Sequence, residues 1–538
     1  MRRWNGWGDE ATHFPLKTEA KHFLEQQIGT GTPLPDASLA EVIARVPGSR
    51  LPSHPLITID AEQRVRHARG QSLPDWLAMR SGKMEPFPDA VAFPESTADI
   101  QALLHFATRN NAELITYGGG SSVVGHINPR PTERPTLTVS MINFNRLQLL
   151  DTTSNLATFG AGTPGPLIES QLHARGFTLG HFPQSWELST LGGWVASRSS
   201  GQQSLRYGRI EQLFAGATME TTQGTLSIPT IPASSAGTDL REIVLGSEGR
   251  MGIITDVTVK VSPLPEAERF YVVFFPDWDS GINTVRQLAQ HRVPLSMMRL
   301  SNPRETWTQL KLAGHTTAIA ALERYLGMRG VKQHKCMFTF GITGGKSASK
   351  AALAQTNNLI KLHDGINTGT LLGKKWQENR FRSPYLRHGL WELGYAVDTV
   401  ETAVDWTRVP SMVDAIEHAI NNTLKLAGER IHVFTHLSHV YSQGSSIYTT
   451  YVFRCARSYE ETLDRWRRMK QAASLAIVNN GGTISHQHGV GTDHAPYLKA
   501  EKGELGISTI ETLCKHFDPQ GIMNPGKLLP EAKNHDEH

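Results

Sequence analysis

Residues 115–125 read ITYGGGSSVVG, three consecutive glycines directly after a short apolar stretch. Glycine loses more backbone freedom on folding than any other residue, so an ordered triple-glycine turn is costly unless something must approach the backbone closely. Leu114 and Ile115 pin the run on one side, and Val123 and Val124 on the other. The pattern is that of a tethered loop and not a linker. Successive small residues let backbone N–H groups converge on an anion, and serine hydroxyls add donors. On these residues alone, an anion cradle and a tight structural turn fit equally well. Two better-defined fingerprints fail on spacing. A G-x-G-x-x-G dinucleotide motif from Gly118 needs glycine at 123, where Val123 stands. A phosphate loop over residues 341–347, GITGGKS, needs glycine at 340, where Phe340 stands; this stretch reads as a turn.

A chain of 538 residues can hold two or three domains with a large core. Its 54 basic against 50 acidic residues leave a net charge of +4, too mild and dispersed for nucleic-acid binding. The local cluster at 465–468 reads as a solvated helix face. Cys336, Cys455 and Cys514 are far apart, which argues against a disulfide framework or a thiolate metal site and fits a reducing compartment. No apolar run approaches the ~20 residues of a membrane span. The start, MRRWNGWGDE, turns polar before a signal-peptide core could form. A cytoplasmic location follows, with peripheral membrane contact and a homodimer left open.

The organisation expected is an N-terminal helical extension over 1–85, with helical patterns near 17–27 and 37–45. A first domain over 86–265 mixes strands and helices. It opens with Ser96 or Thr97 as the N-cap of a helix whose Ile100, Leu103, Leu104 and Ala107 share a face. Strands are expected at 114–117, in LTVSM and in LATFGAG, and a helix over 167–175 ends at Gly176. A second sheet domain follows over 266–500, beginning with the strand FYVVFFP at 270–276. Residues 501–538 form a helix, a Pro/Gly turn and a short polar tail at 531–538. The class is α+β.

Three later stretches share the composition of the glycine loop: PQSWELSTLGGWVASRSSG at 183–201, GSEGRMGIITDV at 246–257 and SHQHGVG at 485–491. Small residues with single large ones between suit backbone wrapped around a large polar cofactor. In this order they resemble the FAD-binding domain of the vanillyl-alcohol oxidase (PCMH) type, in which an α/β cap domain covers the flavin. The resemblance implies non-covalent FAD, because residues 118–122 offer no histidine or cysteine to bond it. It places the pyrophosphate on Gly118, Gly119, Gly120, Ser121 and Ser122. The rest of the cofactor then falls to Gln184, Ser185, Ser189 and Thr190, to Ser197, Arg198 and Ser200, and to Glu248, Gly249, Gly252 and Ile254.

Two branches of that superfamily compete. FAD-linked oxidoreductases of D-2-hydroxy acids carry HxGDGNxH, whereas residues 436–453 read HLSHVYSQGSSIYTTYVF and lack the GDGN core. Their later GEHGxG has His486 and Gln487 in place of its Gly-Glu pair. RRWNGWG at 2–8, GHFPQSWELSTLGGWVASRSSG at 180–201, SMMRL at 296–300, SPYLRHGLWELGYAVDTVETAVDWTRV at 383–409, YSQGSSIY at 441–448 and NNGGTISHQHGVG at 479–491 are instead similar to the alkyldihydroxyacetonephosphate synthases. That resemblance implies exchange of the acyl group of acyl-dihydroxyacetone phosphate for a long-chain fatty alcohol, with no net redox change. The runner-up is an oxidoreductase of a D-2-hydroxy acid or a phosphorylated polyol.

The resemblance also implies roles. Arg387 takes the substrate phosphate, as suits a bidentate guanidinium. Arg299 is a second arginine needed for activity. Tyr448 moves a proton, and a base role at neutral pH requires positive charge beside it. His486 and His488 are the outer members of a triple-histidine motif whose centre is Gln487 here. Thr399 stands where serine is usual, and Thr190 and His181 are set beside the substrate. Each has a plainer reading: the arginines as surface ion pairs, Tyr448 as a half-buried strand residue, the histidines as ligands of a metal that no nearby carboxylate or cysteine completes. No metal is expected.

Overall fold

The computed structural model describes residues 1–313 and 316–530; the polar tail at 531–538 lies outside them. The first domain holds two sheets. One runs Ile57–Thr58, Ala90–Ala92, Thr136–Ser140, Glu113–Tyr117, the last three strands parallel; its edge strand Ile57–Thr58 comes from the 1–85 extension, expected to be helical and separate but joined here through pairing with Ala92 and Val91. Its central strands are buried throughout, as parallel strands covered on both faces are. The helix Thr97–Arg109 covers it, started by a capping box between Ser96 and Asp99, with Ile100, Leu103, Leu104, Phe106 and Ala107 buried. The other sheet is antiparallel, in the order Leu147–Asp151, Leu156–Gly160, Ile253–Lys260, Phe214–Thr221, Gly224–Ile228.

A seven-stranded sheet forms the cap, in the order Ile366–Asn367, Ala267–Phe275, Cys336–Gly344, Met297–Ser301, His432–Val440, Gly444–Arg454, Tyr395–Asp405. Every pairing in it is antiparallel. Phe338, Phe340, Val285, Met412, Ile416 and Trp466 share its core with the covering helices Trp278–Gln290, Val409–Thr423 and Tyr459–Asn479. The GITGGKS stretch is the exit of the strand Cys336–Gly344 into the helix Lys346–Leu362, with Gly345 as N-cap. Within the 465–468 cluster, Arg465 departs from a solvated face. It donates to the Arg454 carbonyl at 2.9 Å and pairs with Glu429 at 2.8 Å.

The N-terminal extension ties both domains together. Leu73, Trp76 and Leu77 of the helix Leu73–Ser81 enter the cap core. Phe23, Leu24 and Ile28 of the helix Thr18–Ile28 pack on Leu390, Tyr395 and Val452. The RRWNGWG stretch reaches across: Arg2 Nη2 donates to the Gly119 carbonyl at 2.5 Å, and the Trp7 N–H to His388 Nε2 at 3.2 Å. After the helix Leu498–Phe517 the chain returns to the first sheet, where Asn524 N–H donates to the Leu114 carbonyl at 2.8 Å. Among the described residues no helix is long and apolar enough to cross a membrane.

Candidate functional site

A cleft of about 1090 Å³, counting the part open to solvent, lies along the first domain. Gly118, Gly119, Gly120, Ser121 and Ser122 line it, with Ser185, Ser189, Thr190 and Ser197, and with Glu248, Gly249, Gly252 and Ile254. The glycines answer to protein as much as to any ligand. A Cβ on Gly119 would overlap the Leu188 carbonyl oxygen, and one on Gly118 the Thr190 hydroxyl. Gly120 sits at φ +61°, in the left-handed region that favours glycine. The loop is thus clamped from below by residues 188–190 and from the side by Arg2, and its upper face is left to the cleft.

The cleft suits a polar cofactor. Thr116 Oγ1, Gln487 Oε1 and Asn524 Oδ1 are buried without a hydrogen-bond partner among the described residues, and all three residues line it. An unmet buried polar group costs ~1–3 kcal/mol, which a ligand rich in hydroxyl and N–H groups relieves. Glu248 both lines the cleft and closes it. Its carboxylate accepts the N–H groups of Val490 and Gly491 at 2.5 and 2.8 Å, with His126 Nε2 at 3.2 Å. His126, four residues beyond the loop, also lines the cleft, its Nδ1 2.8 Å from Ser122 Oγ.

Three expected cofactor contacts stand elsewhere. Gln184 donates to the Arg380 carbonyl at 2.8 Å. Arg198 ends the helix Leu191–Ser197 at φ +55° and pairs with Glu242 at 2.9 Å. Ser200 Oγ lies 3.0 Å from His439 Nδ1. Past that helix the chain alternates, with Ser199 lining the cleft and Arg198 and Ser200 turned away from it, and composition alone does not mark which side each takes.

The cap contributes a second cluster. Tyr448 lies opposite His436 and Glu401 in its sheet. Its ring stacks on His436 at 5.0 Å and meets His488 edge-on at 5.9 Å. Burial pushes the phenol up to about 12, against a hydrogen bond from Thr399 and the charge of Arg299. The Arg299 charge does not offset the burial, and the hydroxyl stays protonated at neutral pH. Arg299 is spent on Glu305, at 2.6 Å, with His436 Nδ1 at 3.2 Å. Burial alone would raise the Glu305 carboxyl, yet His436 and Arg299 bring it down to about 2.

Arg387, on the helix Ser383–Glu392, donates to the Gln71 carbonyl at 2.6 Å. It lies 3.7 Å from Asp398 and over the Trp76 ring at 5.4 Å. His181 Nε2 is 3.2 Å from the hydroxyl of Ser199, a cleft residue, and burial brings its ring down to about 3. His488 lines the cleft beside Gln487 and lies 3.2 Å from Glu401. Glu401 Oε1 also accepts the N–H groups of Gln487 and His488, both at 2.8 Å. His486 has different company: its Nε2 is 2.7 Å from both Arg209 Nη1 and Tyr441 Oη.

Sequence reasoning missed Arg209, Glu305, Glu401, His436 and His439. His436 and His439 sit in the quoted HLSHVY stretch, where histidines among strand residues were the available signal. Arg209 and Glu305 lie outside any motif, and only their burial marks them.

A family model described as "FAD binding domain" matches residues 88–228, and one described as "FAD linked oxidases, C-terminal domain" matches residues 264–528. The alkyldihydroxyacetonephosphate synthase of Dictyostelium discoideum is 31% identical over 481 residues, 88% of this chain and 78% of that one. The protein of the same name from Trypanosoma brucei brucei is 28% identical over 577 residues, 99% of this chain and 93% of that one. A solved alkyldihydroxyacetonephosphate synthase superposes with a TM-score of 0.83 at 27% identity, covering 98% of this chain and 99% of its own.

Proposed function

The chain belongs to the alkyldihydroxyacetonephosphate synthase family, and from that premise we infer that it is an FAD-dependent enzyme of ether-lipid synthesis. It exchanges the acyl group of 1-acyl-dihydroxyacetone phosphate for a long-chain fatty alcohol. The fatty acid leaves C1 as a carboxylate, the alcohol oxygen takes its place, and no electrons are gained or lost overall. Residues 118–122, with Ser189, Thr190 and Gly249, would hold FAD, which when bound would supply an electron sink for the reaction.

The column of rings His436, Tyr448 and His488 carries this reading, because His488 joins the cap cluster to the cleft. Tyr448 takes the C1 proton as its own passes to His488, a relay that a protonated phenol requires. Thr399 orients the phenol. Arg387 binds the phosphate: with its nearest carboxylate 3.7 Å away, it keeps donors for a bidentate contact. Arg299, neutralised by Glu305, steadies His436 beneath Tyr448. Thr190 and His181 shape the cleft wall, the latter through Ser199. Contact with a membrane surface, where a fatty alcohol resides, and a homodimer belong to the same reading.

The test is anaerobic incubation of the FAD-loaded protein with acyl-dihydroxyacetone phosphate and a fatty alcohol, without an electron acceptor. One fatty acid should appear for each alkyl ether formed. No ether product, together with flavin reduction by a D-2-hydroxy acid, would replace this reading with an oxidoreductase.

A further inference from the structure

The two histidines that flank Gln487 are held by opposite kinds of partner. His486 Nε2 receives Arg209 Nη1 at 2.7 Å, and Arg209 Nη2 donates at 2.9 Å to the carbonyl of the same histidine. The Tyr441 hydroxyl, itself an acceptor from Arg209 at 3.0 Å, is 2.7 Å from the same Nε2. A guanidinium has five N–H donors and no acceptor. An imidazole nitrogen in contact with it must therefore present its lone pair, and the proton of the neutral ring moves to Nδ1. His488 faces the carboxylate of Glu401: its Nδ1 lies 3.2 Å from Oε1.

We propose that Arg209 is a positioning residue that locks His486 as a neutral Nδ1–H imidazole, so that His486 can only donate, and His488 is the member of the pair that can accept a proton.

Three observations support it. Arg209 grips the side chain and the backbone of His486 at once, so the ring cannot turn away without breaking both contacts. Glu211 fixes Arg209 from behind, its carboxylate 2.7 Å from Nε. His486 Nδ1 is buried and has no hydrogen-bond partner among the described residues, so nothing there competes for the proton that the guanidinium keeps off Nε2. The groups acting on the His486 ring are Arg209, Tyr441, His439 and His488, none of them an anion. Burial and the Arg209 charge accordingly hold it well below the usual histidine range. The tautomer stands on geometry alone, whereas the division of labour rests on the exchange reaction proposed above.

The two parts are tested separately. In the FAD-loaded protein without substrate, ¹⁵N-labelled histidine spectra, with the His486 signal identified by its loss in His486→Asn, should show a protonated Nδ1, a bare Nε2 and no titration down to pH 5.5. Arg209→Met should let that signal titrate or move its proton to Nε2, and Arg209→Lys should restore the wild-type pattern. An Nε2–H signal or a titrating ring in the wild type overturns the proposal, even where Arg209→Met does not fold. An unchanged signal in folded Arg209→Met overturns it as well. In the exchange reaction, His488→Asn should cost ~10²–10⁴-fold. An equal loss in His486→Asn, whose amide keeps a donor in place of Nδ1, would overturn the division of labour.

Discussion

The cleft and the cap cluster reach their geometry by opposite means. The cleft is made by removing side chains. Gly118 and Gly119 let one loop lie on residues 188–190, and glycines, serines and threonines line much of the surface. The cap cluster is made by crowding side chains together, with Arg299, Glu305, His436 and Tyr448 each tied to the next. The contrast separates two kinds of information. Missing side chains act where they are missing, so a local run of sequence reveals them. Beyond the local Arg299–Glu305 pair, interlocked groups act through partners far along the chain: His436 is 137 residues from Arg299, and His486 is 277 from Arg209.

If the cleft depends on absent side chains, the largest effect in the molecule comes from adding one at the tightest point. Gly119→Val places a branched Cβ on the Leu188 carbonyl oxygen, with the backbone of residues 188–189 fixed behind it. The protein should lose FAD entirely and melt earlier even without it, read from flavin absorbance and from the unfolding of the apoprotein. A yellow, normally stable variant would break the contrast at its root.

That distinction also accounts for what was legible. The helix Thr97–Arg109 announced itself through Ser96 and a periodic apolar face, and the strand Glu113–Tyr117 through its run of apolar residues. Thirteen of the sixteen expected cofactor residues line the cleft. Gln184, Arg198 and Ser200 do not: Gln184 turns to the Arg380 carbonyl, Arg198 to Glu242 and Ser200 to His439, partners that tertiary packing and not local composition supplies. In the cap, Tyr448 and His488 came from family motifs. The protonated state of Tyr448 could not be read, since it depends on burial and on Arg299 being spent on Glu305. No spacing in the sequence carries that balance.

The cap cluster should fail by function before fold. Tyr448→Phe keeps the ring stacked on His436 and removes the hydroxyl. Acid–base groups supply ~10²–10⁴-fold, so exchange should slow by about that factor while FAD content and melting temperature hold. The variant should also lose wash-out of the C1 hydrogen into deuterated solvent. Wash-out at the wild-type rate would give the proton to another group and leave Tyr448 a packing residue.

A smaller effect is expected at Arg387. Charge-assisted hydrogen bonds contribute ~1.5–3 kcal/mol, so Arg387→Ala should raise the KM for acyl-dihydroxyacetone phosphate about 10- to 100-fold. The fold should tolerate the change, because Asp398 keeps the Trp466 indole N–H at 2.5 Å and the Tyr451 hydroxyl at 3.2 Å. An unchanged KM would make Arg387 a structural pin between Gln71 and Asp398, and the cap cluster would then lack its anion-binding cation.

The smallest effect is the most discriminating. Gly193 lines the same cleft from within the helix Leu191–Ser197, yet a Cβ there would meet only Thr190 Oγ1, at 3.3 Å. Alanine favours a helix over glycine by ~1 kcal/mol, and the Thr190 hydroxyl must give by a few tenths of an ångström to admit it. These terms nearly cancel, so the Gly193→Ala apoprotein should differ from wild type by less than ~1 kcal/mol in unfolding. Any loss of FAD affinity in this variant then reports the ligand's own approach to the backbone and not the packing that governs Gly119. Unfolding of apo Gly193→Ala as severe as that of Gly119→Val would mean that the cleft's glycines serve the protein's packing throughout. The surface they leave bare would then be a by-product of that packing, and not a cradle shaped for the cofactor.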